Sequence, residues 1–262
     1  MSGSSGRWSD LSARVASAVV LTAIGAIEIW VGGLWFEAFI GLACSLMIWE
    51  LVRMIAPDRG AIAVQMAILA GAAVVISYHL PPIYRLPVLG AVVLVGVGQV
   101  GDRRAIFGVY ALWIMAAGLG FISIRETMGF GWMLWLISVV VATDVAGYFV
   151  GKLIGGPKFW PRVSPKKTWS GTAGGWVAAA LVGTGFAIYF DLGAGLVVIS
   201  VLASMASQAG DIAESAIKRR CGVKDASNLI PGHGGFLDRF DGMMGASVFV
   251  LLTSLIYTPG VM

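Results

Sequence analysis

Residues 139–156 read VVVATDVAGYFVGKLIGG: an apolar run that holds one carboxylate, Asp144, and ends at Lys152 and a Gly-Gly pair. Upstream the run continues without a charge to about residue 129. A stretch of roughly 20 apolar residues is what a hydrocarbon core about 30 Å thick requires of a crossing helix. A carboxylate inside such a helix is costly and faces a cavity or a partner. On helical spacing Asp144, Gly147 and Gly151 share one face, so another backbone or a ligand can approach the carboxylate closely.

The rest of the chain has the same character. Of its 262 residues 58% are apolar and only 12% charged, and the mean hydropathy is +0.87. That is too little polar surface for a soluble globule. Cutting at charge and Pro/Gly clusters gives about nine transmembrane helices, near 13–31, 33–55, 61–80, 86–101, 105–123, 129–151, 173–190, 194–217 and 243–259. The first is read as a membrane helix rather than a signal peptide, because it is long enough to span and no convincing cleavage site follows. Backbone groups in lipid must be satisfied within a segment, and the runs lack the alternation of a membrane β-barrel. The expected fold is therefore an all-α integral membrane protein. Residues 1–128 form an N-terminal region of five spans, and 129–262 a C-terminal region of four spans with polar loops at 152–172 and 218–242. Cys44 and Cys221 show no metal or disulfide spacing and read as free thiols.

Basic residues accumulate on the cytoplasmic side of membrane proteins. With the N-terminus inside, sixteen of the 18 Lys and Arg fall on that side, and only Arg85 and Arg125 lie outside. This predicts a cytoplasmic N-terminus, an outside C-terminus and both polar loops on the cytoplasmic face. The net charge of +4 is explained by this bias and by anionic lipid, so no nucleic-acid partner is expected. The run GVGQVG, residues 96–101, matches a dinucleotide-binding pattern but ends a membrane run, so its glycines read as helix-packing positions.

Two carboxylates inside the spans share a depth. Asp144 lies about 12 Å along its helix from Lys152, and Asp211 about 10 Å from Lys218, at 1.5 Å per residue. Ser207, Asp211, Glu214 and Lys218 form one polar stripe. Glu28, Glu37 and Glu50 lie near helix ends without companions and read as structural, paired with Lys or Arg of neighbouring helices. Carboxylates, bunched lysines and glycine-rich backbone together suit a magnesium-bound polyphosphate: hard oxygens hold the cation and ammonium groups neutralise phosphate.

The run SAIKRRCGVKDASNLIPGHGGFLDRFDG, residues 215–242, resembles the signature of phosphatidate cytidylyltransferases, the CDP-diacylglycerol synthases. Matching positions are Ser215, Lys218, Arg219, Lys224, Asp225, Pro231, His233, Gly234, Gly235, Asp238, Arg239 and Asp241. DVAGYFVGKLIG from Asp144 and SPKKTWSG, Ser164 to Gly171, resemble the same family. The similarity is dense from about 144 to 245 and faint before. Where the family usually shows Glu, this chain has Ser170, to which no catalytic role is assigned.

The resemblance implies that CTP and phosphatidic acid give CDP-diacylglycerol and pyrophosphate, in phospholipid biosynthesis at the cell (inner) membrane. It implies Mg2+, with a second monovalent cation such as K+ beside it. Asp211 and Asp238 are the expected metal ligands, with Asp144 third; Lys167 joins them as catalytic. Ser164, Lys166, Lys167, Lys218, Arg219, Lys224 and Arg239 are expected at the triphosphate and the lipid phosphate. His233 is expected to fix its loop or bond a phosphate, and Asp225 and Asp241 to orient basic residues or reach metal through water. Membrane lipids are expected partners, and a homodimer is compatible with this reading. A CTP-dependent enzyme acting on a polyprenol or ether lipid shares much of the logic. A secondary transporter is the other alternative; it predicts midplane sites and two similar halves, and the sequence shows neither.

Overall fold

The computed structural model describes residues 5–230 and 234–256. Among them are nine α-helices: α1 Ser5–Val31, α2 Gly33–Ile55, α3 Gly60–His79, α4 Pro82–Val97, α5 Arg104–Ser123, α6 Phe130–Leu153, α7 Trp169–Tyr189, α8 Gly195–Arg220 and α9 Leu237–Ile256. A 3-10 turn, Gly101–Arg103, leads into α5, and a π turn, Ile124–Met128, follows it. Breaks fall where the sequence punctuates. Pro81 and Pro82 open α4, because proline suits a first helical turn. Gly129, at φ 102°, separates the π turn from α6.

The chain is a multi-pass membrane protein. Six helices are long and apolar enough to cross: α2, α3, the run Gly101–Met128, α6, α7 and α8. The other three fall short for separate reasons. The apolar parts of α1 and α4 are Ala18–Val31 and Pro82–Val97, about 21 and 24 Å at 1.5 Å per residue, and α9 begins with Asp238, Arg239 and Asp241.

Both polar segments differ from loops. Within 152–172 lies a two-stranded antiparallel ribbon, β1 Lys158–Trp160 and β2 Ser164–Thr168, a short insertion in an all-α membrane fold. Pro157, Pro161 and Pro165 deny this stretch helical N–H donors, and proline is tolerated on a ribbon edge. The 218–242 loop contracts to 221–236, since α8 runs on through Arg220 and α9 starts at Leu237. Cations in the last turn suit the C-terminal end of α8, and Gly222, at φ +75°, stops it.

Two compact units divide the chain: Met1–Gly118 with Cys221–Arg239, and Leu119–Arg220 with Phe240–Met262. In the first, α2 packs on α3 and α3 on α4, around Phe36, Met47, Leu51, Met66, Val74 and Ile114. Glu37, at the start of α2, is buried and bonds His79 at the end of α3 (2.7 Å), so its partner is an imidazole, not the expected Lys or Arg.

In the second unit α6, α7 and α8 pack on one another. Helices in lipid associate through small residues that let backbones meet. A Cβ on Gly171 would stand 2.5 Å from the Gly147 carbonyl oxygen and 3.2 Å from the Gly151 Cα. The shared face of Asp144, Gly147 and Gly151 thus receives a backbone, that of α7. Two pairs of buried polar side chains bond across these helices, which lowers the cost of holding them in lipid: Trp135 Nε1 donates to Ser200 Oγ (2.9 Å) and Thr143 Oγ1 to Ser204 Oγ (2.8 Å).

Candidate active site

The ribbon carries Lys166 and Lys167 on consecutive positions of β2, so strand alternation sends them to opposite faces. Lys166 is exposed, whereas Lys167 Nζ forms an ion pair with Asp211 Oδ2 of α8. The base of the ribbon is fixed at Thr168, whose Oγ1 accepts from Gly171 N (3.2 Å) and caps α7. Ser164 opens β2, opposite Trp160.

Around this ion pair three carboxylates gather. Asp144 lies within electrostatic reach of Asp211 and Lys167. Asp241 is reached by Asp211, Lys218 and Asp144. Asp241 stands near the start of α9. Asp211 also accepts from Ser215 Oγ at Oδ1 (3.3 Å). One turn on, Glu214 is fully buried and accepts from Lys218 Nζ (2.7 Å). The stripe on α8 thus holds two lysine–carboxylate contacts.

Four carboxylates, Asp144, Asp211, Glu214 and Asp241, meet two ammonium groups, Lys167 and Lys218. The cluster has two more negative than positive charges. A polyanion approaching it needs a cation, and hard carboxylate oxygens are the donors Mg2+ takes. Among the described residues no three His, Cys, Asp or Glu side chains form a ready-made cage. Mg2+ usually takes one or two carboxylates and completes its shell with phosphate oxygens and water, so the donor set fits that ion.

The first unit contains the rest of the signature. Asp238 Oδ2 accepts from Ala226 N (2.9 Å) and Gly235 N (2.7 Å), so one oxygen of this expected metal ligand orders its own loop. Ile230 N donates to Gly234 O (2.9 Å). Gly234 sits at φ +84°, where an L side chain is strained. Lys224, Asp225 and Arg239 are exposed here, as Arg219 is on α8. His233 lies outside the described residues. Ser170 donates to the Gly155 carbonyl and shares a hydrogen bond with Thr168 (3.0 Å), closing the ribbon's base.

Sequence reasoning missed Glu50. It is fully buried and, among the described residues, forms no ion pair with Lys or Arg. Instead it accepts from Ser227 Oγ, Phe236 N (2.8 Å) and Leu237 N (2.7 Å), satisfying N–H groups that a helix start leaves unpaired. No local signal marks it, since these partners are 177 to 187 residues away.

Comparison with known proteins identifies the family. The family model described as "Cytidylyltransferase family" matches residues 12–257. A phosphatidate cytidylyltransferase of Brucella suis is 36% identical over 261 aligned positions, covering 95% of both chains. Those of Bacillus subtilis, 42% identical over 135 positions, and Staphylococcus saprophyticus, 40% over 136, align with half of this chain. The chain belongs to the cytidylyltransferase family.

Proposed function

We propose that this chain transfers CMP from CTP to phosphatidic acid, giving CDP-diacylglycerol and pyrophosphate in phospholipid synthesis. The observation that carries the reading is the cluster of Asp144, Asp211 and Asp241 around Lys167 and Lys218, in a chain whose relatives are named for this reaction. A phosphate oxygen of phosphatidate bonds to the α-phosphorus of CTP. The bond from that phosphorus to the pyrophosphate oxygen breaks, and its electron pair leaves with pyrophosphate. The nucleophile is already an anion at neutral pH, so no strong base is required, and catalysis rests on alignment and charge neutralisation.

Mg2+, when bound, would neutralise triphosphate oxygens. Asp144 and Asp211 would hold it and Asp241 would reach it through water; the signature implies a ligand role for Asp238 as well, and a monovalent cation would be the second ion. Lys167 faces both Asp211 and the incoming phosphate. Lys166, Lys218, Arg219, Lys224 and Arg239 serve phosphate, as the motifs they belong to imply.

The bias of sixteen of the 18 basic residues supports all nine helices crossing the cell membrane, with the N-terminus and both polar segments cytoplasmic. Residues 1–128 then act as the membrane-embedded scaffold and 129–262 as the catalytic region. There the phosphatidate headgroup lies level with the shallow carboxylates while its tails stay in lipid.

The test supplies purified protein in detergent with labelled CTP, Mg2+ and phosphatidate, and follows CDP-diacylglycerol. Product is expected from phosphatidate and not from a polyprenyl phosphate. Asp211→Asn should lower the rate by about 100-fold or more, the scale of losing one preorganised electrostatic contact. Undiminished product from that variant would sink the assignment.

A further inference from the structure

We propose that Glu50 is a positioning residue for the reaction, fixing residues 223–230 and 234–239 so that Lys224 and Arg239 are presented to phosphate. The inference rests on the reading of that segment as phosphate-binding given above. Glu50 is itself fully buried, so it acts through the segment and not by touching substrate.

One carboxylate grips the segment at both ends. Oε1 accepts from Ser227 Oγ and from Phe236 N (2.8 Å), and Oε2 from Leu237 N (2.7 Å). Ser227 Oγ also accepts from Leu229 N (3.0 Å), passing the anchor into the loop. The approach is close enough to dictate sequence: a Cβ on Gly235 would stand 2.8 Å from Glu50 Oε1. Asp238 closes a second clasp across Ala226 and Gly235.

A buried carboxylate is retained at a cost in desolvation unless its oxygens are well bonded. An apolar side chain would fill the same space more cheaply, but it would not dictate where the amides of residues 236 and 237 point. Directional bonds from a fixed helix set the loop's path, and the exposed Lys224 and Arg239 follow from that path.

The test combines Glu50→Gln, Ser227→Ala and Ser227→Thr, with kcat and KM for CTP and for phosphatidate, and hydrogen exchange of detergent-solubilised protein followed by peptide. Gln keeps the shape but turns one accepting oxygen into an amide that cannot accept. Expected for Glu50→Gln are faster exchange across 223–239, unchanged exchange in α6 and α7, and a KM for CTP raised about tenfold, the scale of one missing hydrogen bond to a charged group, with a smaller change in kcat. Ser227→Ala should move both readouts the same way, and Ser227→Thr, which keeps the hydroxyl, should restore them.

Native exchange and native kinetics in Glu50→Gln and Ser227→Ala overturn the inference. Faster exchange with native kinetics overturns it through the phosphate-binding reading, while product formation by the unmodified enzyme still upholds the reaction itself. If Glu50→Gln does not fold, the Ser227 pair decides alone.

Discussion

Replacing Lys167 by Met separates two roles of one charge. Lys167 and Asp211 are each under a third exposed, at 28% and 29%, so solvent screens their attraction only in part. Met retains most of the apolar stem and removes the ammonium. The substitution abolishes a hydrogen bond between charged groups, a class that contributes about 1.5–3 kcal/mol. The excess of negative charge over positive in the cluster then rises from two to three, which has opposite consequences for metal and for rate. A divalent cation is drawn more strongly, so half-saturating Mg2+ should fall about 3- to 10-fold, or about 1 kcal/mol. Phosphate is deprived of a fixed cation during transfer, so kcat should fall about 10²- to 10³-fold. Rates measured against Mg2+ at saturating CTP and phosphatidate read both effects. Thermal unfolding in chelator should show the drop in stability, and Mg2+ should restore part of it. Lys167→Arg keeps the charge in a planar fork unlike a compact ammonium and should fall between. A kcat within about threefold of native, or a raised Mg2+ requirement, would refute the assignment of this lysine.

Three further outcomes are expected. Gly171→Ala places a methyl 2.5 Å from the Gly147 carbonyl oxygen; it should destabilise the protein by about 1–3 kcal/mol, as overpacking does, and a melting temperature equal to native would contradict that packing. Cys221 lies outside the six spans, and burial raises its thiol above the ordinary range against the opposing charge of Arg103. The folded state therefore favours its protonated form: alkylation should lag a free thiol until higher pH and speed up in denaturing detergent, and any stability it contributes is lost as pH rises. A cysteine at Asn228, in a background with Cys221 replaced, should react with an impermeant reagent only from the cytoplasmic side; reaction from outside would reverse the proposed topology.

The signals that survived into the fold were periodic ones. Asp144, Gly147 and Gly151 could be placed on one face from spacing alone, and the backbone that fills that face is α7, at Gly171. The stripe Ser207, Asp211, Glu214 and Lys218 likewise follows from helical geometry, and two of its members are bonded as i, i+4 partners. What spacing cannot reveal is contact between distant segments. Glu50 has the same immediate surroundings as many acids near a helix end, and its contacts exist only because Ser227, Phe236 and Leu237 return to α2. The ribbon was hidden for another reason. Its strands have three and five residues, too short for alternation to stand out from a proline-rich loop.

Small residues also explain how a short ribbon can aim the Lys167 ammonium. Without a side chain on Gly151, Thr168 Oγ1 can lie 2.8 Å from where that Cβ would stand, close enough to cap α7 against α6. Thr168 is buried at that junction, which sets the end of β2. Lys167 is the residue before it, so its side chain takes the face toward α8 and meets Asp211, while Lys166 takes the other and meets solvent. A bulkier residue at Gly151 would act on the lysine through the position of the cap, without touching any charge. The same logic operates in the HGG motif, where the missing side chain at Gly235 lets Glu50 approach. In both places a charged side chain owes its direction to a helix or loop backbone brought near by glycine, and so the geometry of the proposed site and the close packing of its backbone are set by the same residues.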